Sequence, residues 1–188
     1  MLQSLSKWLL YKRMGWKKDV RFTLPNKAII CLAPHTSNWD FIIGQLYARA
    51  EGLHSNFLMK KEWFVRPLGW MFRKLGGIPV WRDKHTSMTD RLAEYAMRAD
   101  SFQLCVTPEG TRSLNAEWKK GFYYIAMKAK LPIFLYGVDF EKKSIVCSKV
   151  ITPTGDIEKE LREIKLYFKD FKGRHPELFT IGEINNED

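Results

Sequence analysis

The sequence predicts an α/β fold: a three-layer sandwich whose largely parallel, mixed central sheet is flanked by helices and preceded by an N-terminal amphipathic helix. Short apolar runs of strand length alternate along the chain with segments whose apolar residues recur at helical spacing, the order from which parallel sheets are built. The 188 residues, 45% apolar and 14% aromatic, suffice for one full core and are too few for two ordinary domains. No internal repeat or low-complexity stretch interrupts the alternation.

The elements follow in order. Leu2, Leu5, Trp8, Leu9 and Trp16 fall within about a third of a helix circumference at roughly 100° per residue, with Lys7, Lys17 and Lys18 away from the stripe. Lys12 intrudes on the stripe and Gly15 weakens its last turn. Residues 1–18 are therefore read as a membrane-association helix lying in a lipid interface, the alternative being a first helix packed on the core. After the Pro25-Asn26 turn, Ala28–Ala33 is an apolar run bounded by Pro34 and suits a buried strand. A helix is expected from Asn38 to Glu51, a strand over Asn56–Met59, a helix over Glu62–Lys74 and a strand over Gly77–Trp81. Ser87–Ala99, Phe102–Thr107, Trp118–Lys128 and Ile133–Phe140 continue as helix, strand, helix, strand. Ser144–Ile151 reads as one more strand, and Ile157, Leu161, Ile164, Phe168 and Phe171 mark a closing helix. The expected division is thus 1–18 as the membrane segment, 19–172 as the α/β domain, and 173–188 as a loosely ordered tail.

The 31 Lys and Arg against 21 Asp and Glu leave a formal charge of +10. That favours acidic partners: nucleic acid, anionic lipid, phosphorylated substrates or an acidic carrier protein. No recognisable nucleic-acid motif accompanies the charge, so nucleic acid is not expected as a partner. Cys31, Cys105 and Cys147 are odd in number, share no CxxC spacing and sit in apolar strands, as reduced buried thiols do. His35, His54, His85 and His175 show no HxxxH or HExxH spacing, and no metal is expected. No stretch reaches the roughly 18–20 apolar residues of a spanning helix, and a signal-peptide pattern is lacking. The expected location is the cytoplasmic face of a membrane, held peripherally.

Three segments fall after strands, where open α/β sheets gather their chemistry: Pro34–Asp40, Trp81-Arg82 and Pro108–Ser113. In the first, His35 precedes Asp40 by five positions. Activating a hydroxyl at neutral pH calls for a general base, and a histidine base is held in one tautomer by a carboxylate. Residues five apart on a regular helix point about 140° apart, so His35 must lie on the turn, with Asp40 one turn into the helix and reaching back. Thr36, Ser37 and Asn38 can cap that helix. In the third segment, taken with the preceding Thr107, Gly110 can take φ > 0 between Glu109 and Thr111-Arg112-Ser113. Such a loop can aim N–H groups, hydroxyls and a guanidinium at one anion, or be a bare turn with a surface Arg.

His35-Thr36-Ser37-Asn38-Trp39-Asp40 followed by Pro108-Glu109-Gly110-Thr111-Arg112-Ser113 resembles the glycerolipid acyltransferase superfamily, best known for the 1-acylglycerol-3-phosphate acyltransferases. The resemblance extends to Lys60-Lys61-Glu62, Gly76–Arg82, Lys119-Lys120-Gly121 and Leu131-Pro132-Ile133. It implies a catalytic His35 oriented by Asp40, and acceptor contacts, phosphate contacts above all, from Arg82, Glu109, Gly110, Thr111, Arg112 and Lys60, with Glu109 alternatively structural. Trp81 stands where the family often has an acidic residue, and Leu135 replaces a proline of the fourth motif. The implied reaction is O-acylation of a lysolipid hydroxyl, 1-acylglycerol-3-phosphate by default, with acyl-CoA or acyl carrier protein as donor and no cofactor. Alternatives are a lyso-amino-acid lipid or other lysolipid acceptor, or a non-catalytic lipid- or acyl-carrier-binding protein.

Overall fold

A computed structural model describes residues 2–80 and 87–183. Helix α1 (Leu2–Lys7) runs on as a π-helix (Trp8–Arg13) into β1 (Lys17–Val20), followed by β2 (Lys27–Ala33), α2 (Asn38–Glu51) and β3 (Asn56–Lys60). A 3₁₀ turn (Lys61–Trp63), α3 (Leu68–Lys74), β4 (Gly77–Val80), α4 (Met88–Arg98) and β5 (Phe102–Val106) come next. The chain closes with α5 (Gly121–Ala129), β6 (Ile133–Asp139), β7 (Ser144–Ile151), α6 (Ile157–Phe168) and a 3₁₀ turn (Pro176–Leu178). The sheet has seven strands in the order β1-β7-β6-β2-β5-β3-β4. Only the β6–β7 pair is antiparallel, so the expected mixed sandwich is the observed one.

Strand alternation divides the core. Ile29, Cys31 and Ala33 of β2, with Leu104 and Ile133, face Leu92, Phe122 and Leu161 of α4, α5 and α6. Ala28 and Ile30, with Phe134 and Tyr136, face Ile43 and Tyr47 of α2 and Leu10 of the N-terminal segment. Strand β6 is buried at every position, which explains its unbroken apolar run. Central β2 carries its C-terminal end, and with it Pro34-His35, to the middle of the rim.

Several expectations are corrected. The N-terminal stripe does not continue to Trp16: the π-helical stretch resets the phase, Gly15 turns the chain at φ +75°, and Trp16, 5% exposed, enters the core. It meets the Phe140 ring edge-on at 5.1 Å, a contact that fills the core where an interfacial position would leave a gap. Leu9 is half-buried, while Leu2, Leu5 and Trp8 are exposed at 76%, 56% and 53%. Lys17 and Lys18 belong to β1, paired in parallel with Ser144 and Ile145, so the segment boundary at residue 18 cuts a strand. The helix expected over Glu62–Lys74 is broken, because Pro67 disfavours helical geometry at Arg66 and removes an N–H donor. The tail is docked through residue 183. Phe140 N–H donates to the Lys172 carbonyl at 2.8 Å, Trp118 Nε1–H to the Thr180 carbonyl at 3.1 Å, and Phe179 and Ile181 pack on the core. Trp81 and Arg82 lie outside the described residues.

Candidate active site

The turn from β2 into α2 is organised by Asp40. Ser37 caps α2, its Oγ accepting from the Trp39 N–H at 3.2 Å, and Asp40 at the third helical position completes a capping box. Asp40 Oδ2 accepts from the Thr36 and Ser37 N–H groups at 2.8 Å each and lies 3.1 Å from His35 Nδ1. A buried carboxylate, 2% exposed, acts here as an acceptor, so Nδ1 carries the ring proton and donates it to Oδ2. The lone pair at Nε2 is thereby available on a ring whose side chain is 21% exposed. Asp40 Oδ1 is buried with no partner among the described residues.

Glu109 approaches from the loop after β5. Its Oε1 accepts from the His35 backbone N–H at 2.8 Å, and the residue is 4% exposed. Burial pushes its carboxyl up to about 7, opposed by the His35 N–H, by a backbone N–H of its own and by the nearby imidazole. Glu109 thus meets the backbone of His35, a contact of the kind that the structural one of its two expected roles calls for. Gly110 takes φ +68°, with the Lys119 side chain 3.0 Å from where a Cβ would stand. Thr111 and Arg112 are exposed, Thr111 Oγ1 accepting from the Ser113 N–H at 3.2 Å. Lys60 ends β3 on the same rim.

Sequence reasoning missed two supports of this site. Asn115 Nδ2 donates to the Glu109 carbonyl at 2.8 Å and closes the loop; its Asx character was a usable signal. From the far end of the chain, His175 donates its N–H to Thr36 Oγ1 at 3.1 Å, and Gly173 sits against Thr36 and Pro34 with no room for a Cβ. No local pattern announces contacts of that range. The cysteines are poor nucleophiles, since burial pushes the Cys105 and Cys147 thiols up to about 12 and about 11 and that of Cys31 well up. Among the described residues no cluster of His, Cys, Asp or Glu is placed to hold a metal.

An α/β sandwich carrying a carboxylate-held histidine at the end of its central parallel strand has the means to move a proton at a substrate oxygen, as a group-transfer enzyme requires. The sequence profile of the acyltransferase family matches residues 17–136, and the chain belongs to that family. Its fold is similar to the crystal structure of the 1-acyl-sn-glycerophosphate (LPA) acyltransferase PlsC from Thermotoga maritima. The TM-score is 0.63 at 18% identity, covering 89% of this chain and 75% of that one. No curated protein matches the sequence.

Proposed function

We propose that the chain transfers a fatty acyl group from a thioester of coenzyme A or acyl carrier protein to the hydroxyl of a lysolipid, with 1-acylglycerol-3-phosphate the first candidate. The observation that carries this reading is the 3.1 Å approach of His35 Nδ1 to the buried Asp40 carboxylate, which favours the tautomer whose Nε2 can accept a proton. In the reaction Nε2 takes the acceptor hydroxyl proton as the oxygen attacks the thioester carbonyl. Backbone N–H groups of the rim stabilise the tetrahedral oxyanion, and its collapse expels the thiolate, which takes the proton back from the imidazolium. Arg112, Thr111 and Gly110, with Arg82 and Lys60, hold the phosphate of the acceptor. The high thiol pKa values favour direct transfer over an acyl-cysteine intermediate.

A water-insoluble acceptor calls for work at a lipid surface, and exposed Leu2, Leu5 and Trp8 beside basic residues support peripheral contact with an anionic membrane, at its cytoplasmic face. No helix among the described residues is long and apolar enough to cross a membrane. The test is a mass-spectrometric screen of lysolipids against acyl-CoA and acyl carrier protein donors, with thiol release followed in parallel. Acylated product formed in step with free thiol is the expected result. Donor binding without thiol release by any acceptor would favour a non-catalytic carrier.

A further inference from the structure

A second cationic zone lies across the rim from the Glu109–Arg112 loop. Strand order puts β5, β3 and β4 on one side of β2, and β6, β7 and β1 on the other. On the β6 side a cleft of about 760 Å³ opens between the first turn of α2, the end of the N-terminal π-helix, the β6–β7 turn and residues 172–176. Arg13, Lys143, Lys172 and Arg174 line it together with the exposed indole of Trp39. Glu141 is the one carboxylate in the lining among the described residues. Arg13, Lys172 and Arg174 have no carboxylate within ion-pair distance among the described residues, and Lys143 Nζ donates to the Met14 carbonyl at 3.3 Å. The Arg174 guanidinium stands 5.3 Å from the centre of the Trp39 ring. The floor of the cleft is tied to the His35 turn, since Gly173 abuts Thr36 and His175 bonds to Thr36 Oγ1.

Four cations around one carboxylate, with an aromatic shelf, make a site for a phosphorylated organic anion. In the function proposed above, the acceptor phosphate is held by the Gly110–Arg112 loop, which follows β5 on the other side of β2. We propose that this cleft binds the phosphate of the phosphopantetheine arm by which the acyl donor is carried. The flexible arm then runs past Trp39 to place the thioester at His35, so donor and acceptor reach the base from opposite sides of β2. This rests on the acyl-transfer reading for its purpose but not for its measurement, because donor binding is assayed without an acceptor.

The experiment titrates the full chain with coenzyme A, 4′-phosphopantetheine and unphosphorylated pantetheine by calorimetry, then repeats it with K172A/R174A, whose two side chains are exposed. Phosphopantetheine should bind roughly tenfold or more tightly than pantetheine, a charge-assisted contact being worth at least that factor. The double variant should weaken coenzyme A binding roughly tenfold or more and raise the donor KM by a similar factor, leaving the acceptor KM unchanged. R112A should bind coenzyme A like the native chain. A KM rise with both coenzyme A and acyl carrier protein donors assigns the contact to the phosphate they share; a rise with coenzyme A alone places the contact on its nucleotide and overturns the proposal. Native-like coenzyme A binding by a folded K172A/R174A chain overturns the proposal. So does a variant that loses sedimentation with phosphatidylglycerol vesicles while keeping its coenzyme A affinity, since the cleft is then a lipid contact. Absence of acyl transfer with every lysolipid would count against the function proposed above and leave the calorimetric result to stand by itself.

Discussion

The carboxylate of Glu109 holds the backbone of His35, its Oε1 lying 2.8 Å from that residue's amide nitrogen across 74 positions of sequence. One acidic residue, Asp40, orients the ring, and another secures the peptide that carries it. Both are buried, and each keeps one oxygen without a partner among the described residues, so the site is fastened at a cost in stability.

That cost has a pH signature. Because burial raises the Glu109 carboxyl from 4.5 to about 7, the folded chain holds a proton between those values that the unfolded chain has released. Stability contributed here is therefore full below about 4.5, falls as pH rises to about 7, and is then lost, a difference of order 3 kcal/mol. Denaturation of the native chain and Glu109→Gln between pH 4 and 8 should show a flatter pH dependence in the variant. Parallel curves would refute the assignment.

Removing the His35 imidazole should separate chemistry from folding. His35→Ala is expected to lower turnover by roughly 10²–10⁴ with little change in melting temperature. Asp40→Asn should lower turnover comparably, and it should also destabilise the chain by about 1–2 kcal/mol, because the same oxygen serves the helix cap. A folded His35→Ala chain with near-native turnover would end the proposed mechanism.

Gly173 is a positioning residue. A Cβ there would lie 2.7 Å from Thr36 Oγ1 and 2.9 Å from its Cγ2, so Gly173→Ala should push the His35 turn and cost about 1–3 kcal/mol. It should lower kcat while sparing the acceptor KM. Adding Thr36→Ser, which keeps the hydroxyl and deletes the methyl, should restore part of both losses; absence of any rescue would place the effect elsewhere.

The N-terminal residues should split into two classes. Leu5→Glu with Trp8→Glu is expected to abolish sedimentation with anionic vesicles while leaving the fold and activity on a short-chain soluble acceptor intact. Trp16→Ala should instead cost about 3–5 kcal/mol through its core contact with Phe140. Vesicle binding unchanged by the first pair would move the membrane contact to another surface.

Much of this was legible in the sequence where the signal was local. The apolar runs of β2, β5 and β6 and the stripes of α2 and α6 follow from burial and periodicity, and the geometry linking His35 to Asp40 follows from caps and a turn. What escaped depended on distant partners. β1 is a short, polar edge strand, Lys17-Lys18-Asp19-Val20, that exists because β7 offers it an edge. A π-helical stretch alters the period on which the stripe through Trp16 relied. Gly173 and His175 look like the start of a loose tail until the fold brings Thr36 to them.

The bond from His175 to Thr36 spans 139 positions, with a consequence for a chain that is made from one end. On the ribosome, β2 and its histidine emerge before β6, which flanks the central strand, and before residues 173–175, which brace the turn. A nascent chain lacking them has His35 and Asp40 but not the frame that holds them. Competence should therefore arrive late and nearly all at once, sparing the cell an acyl-transferring fragment during synthesis.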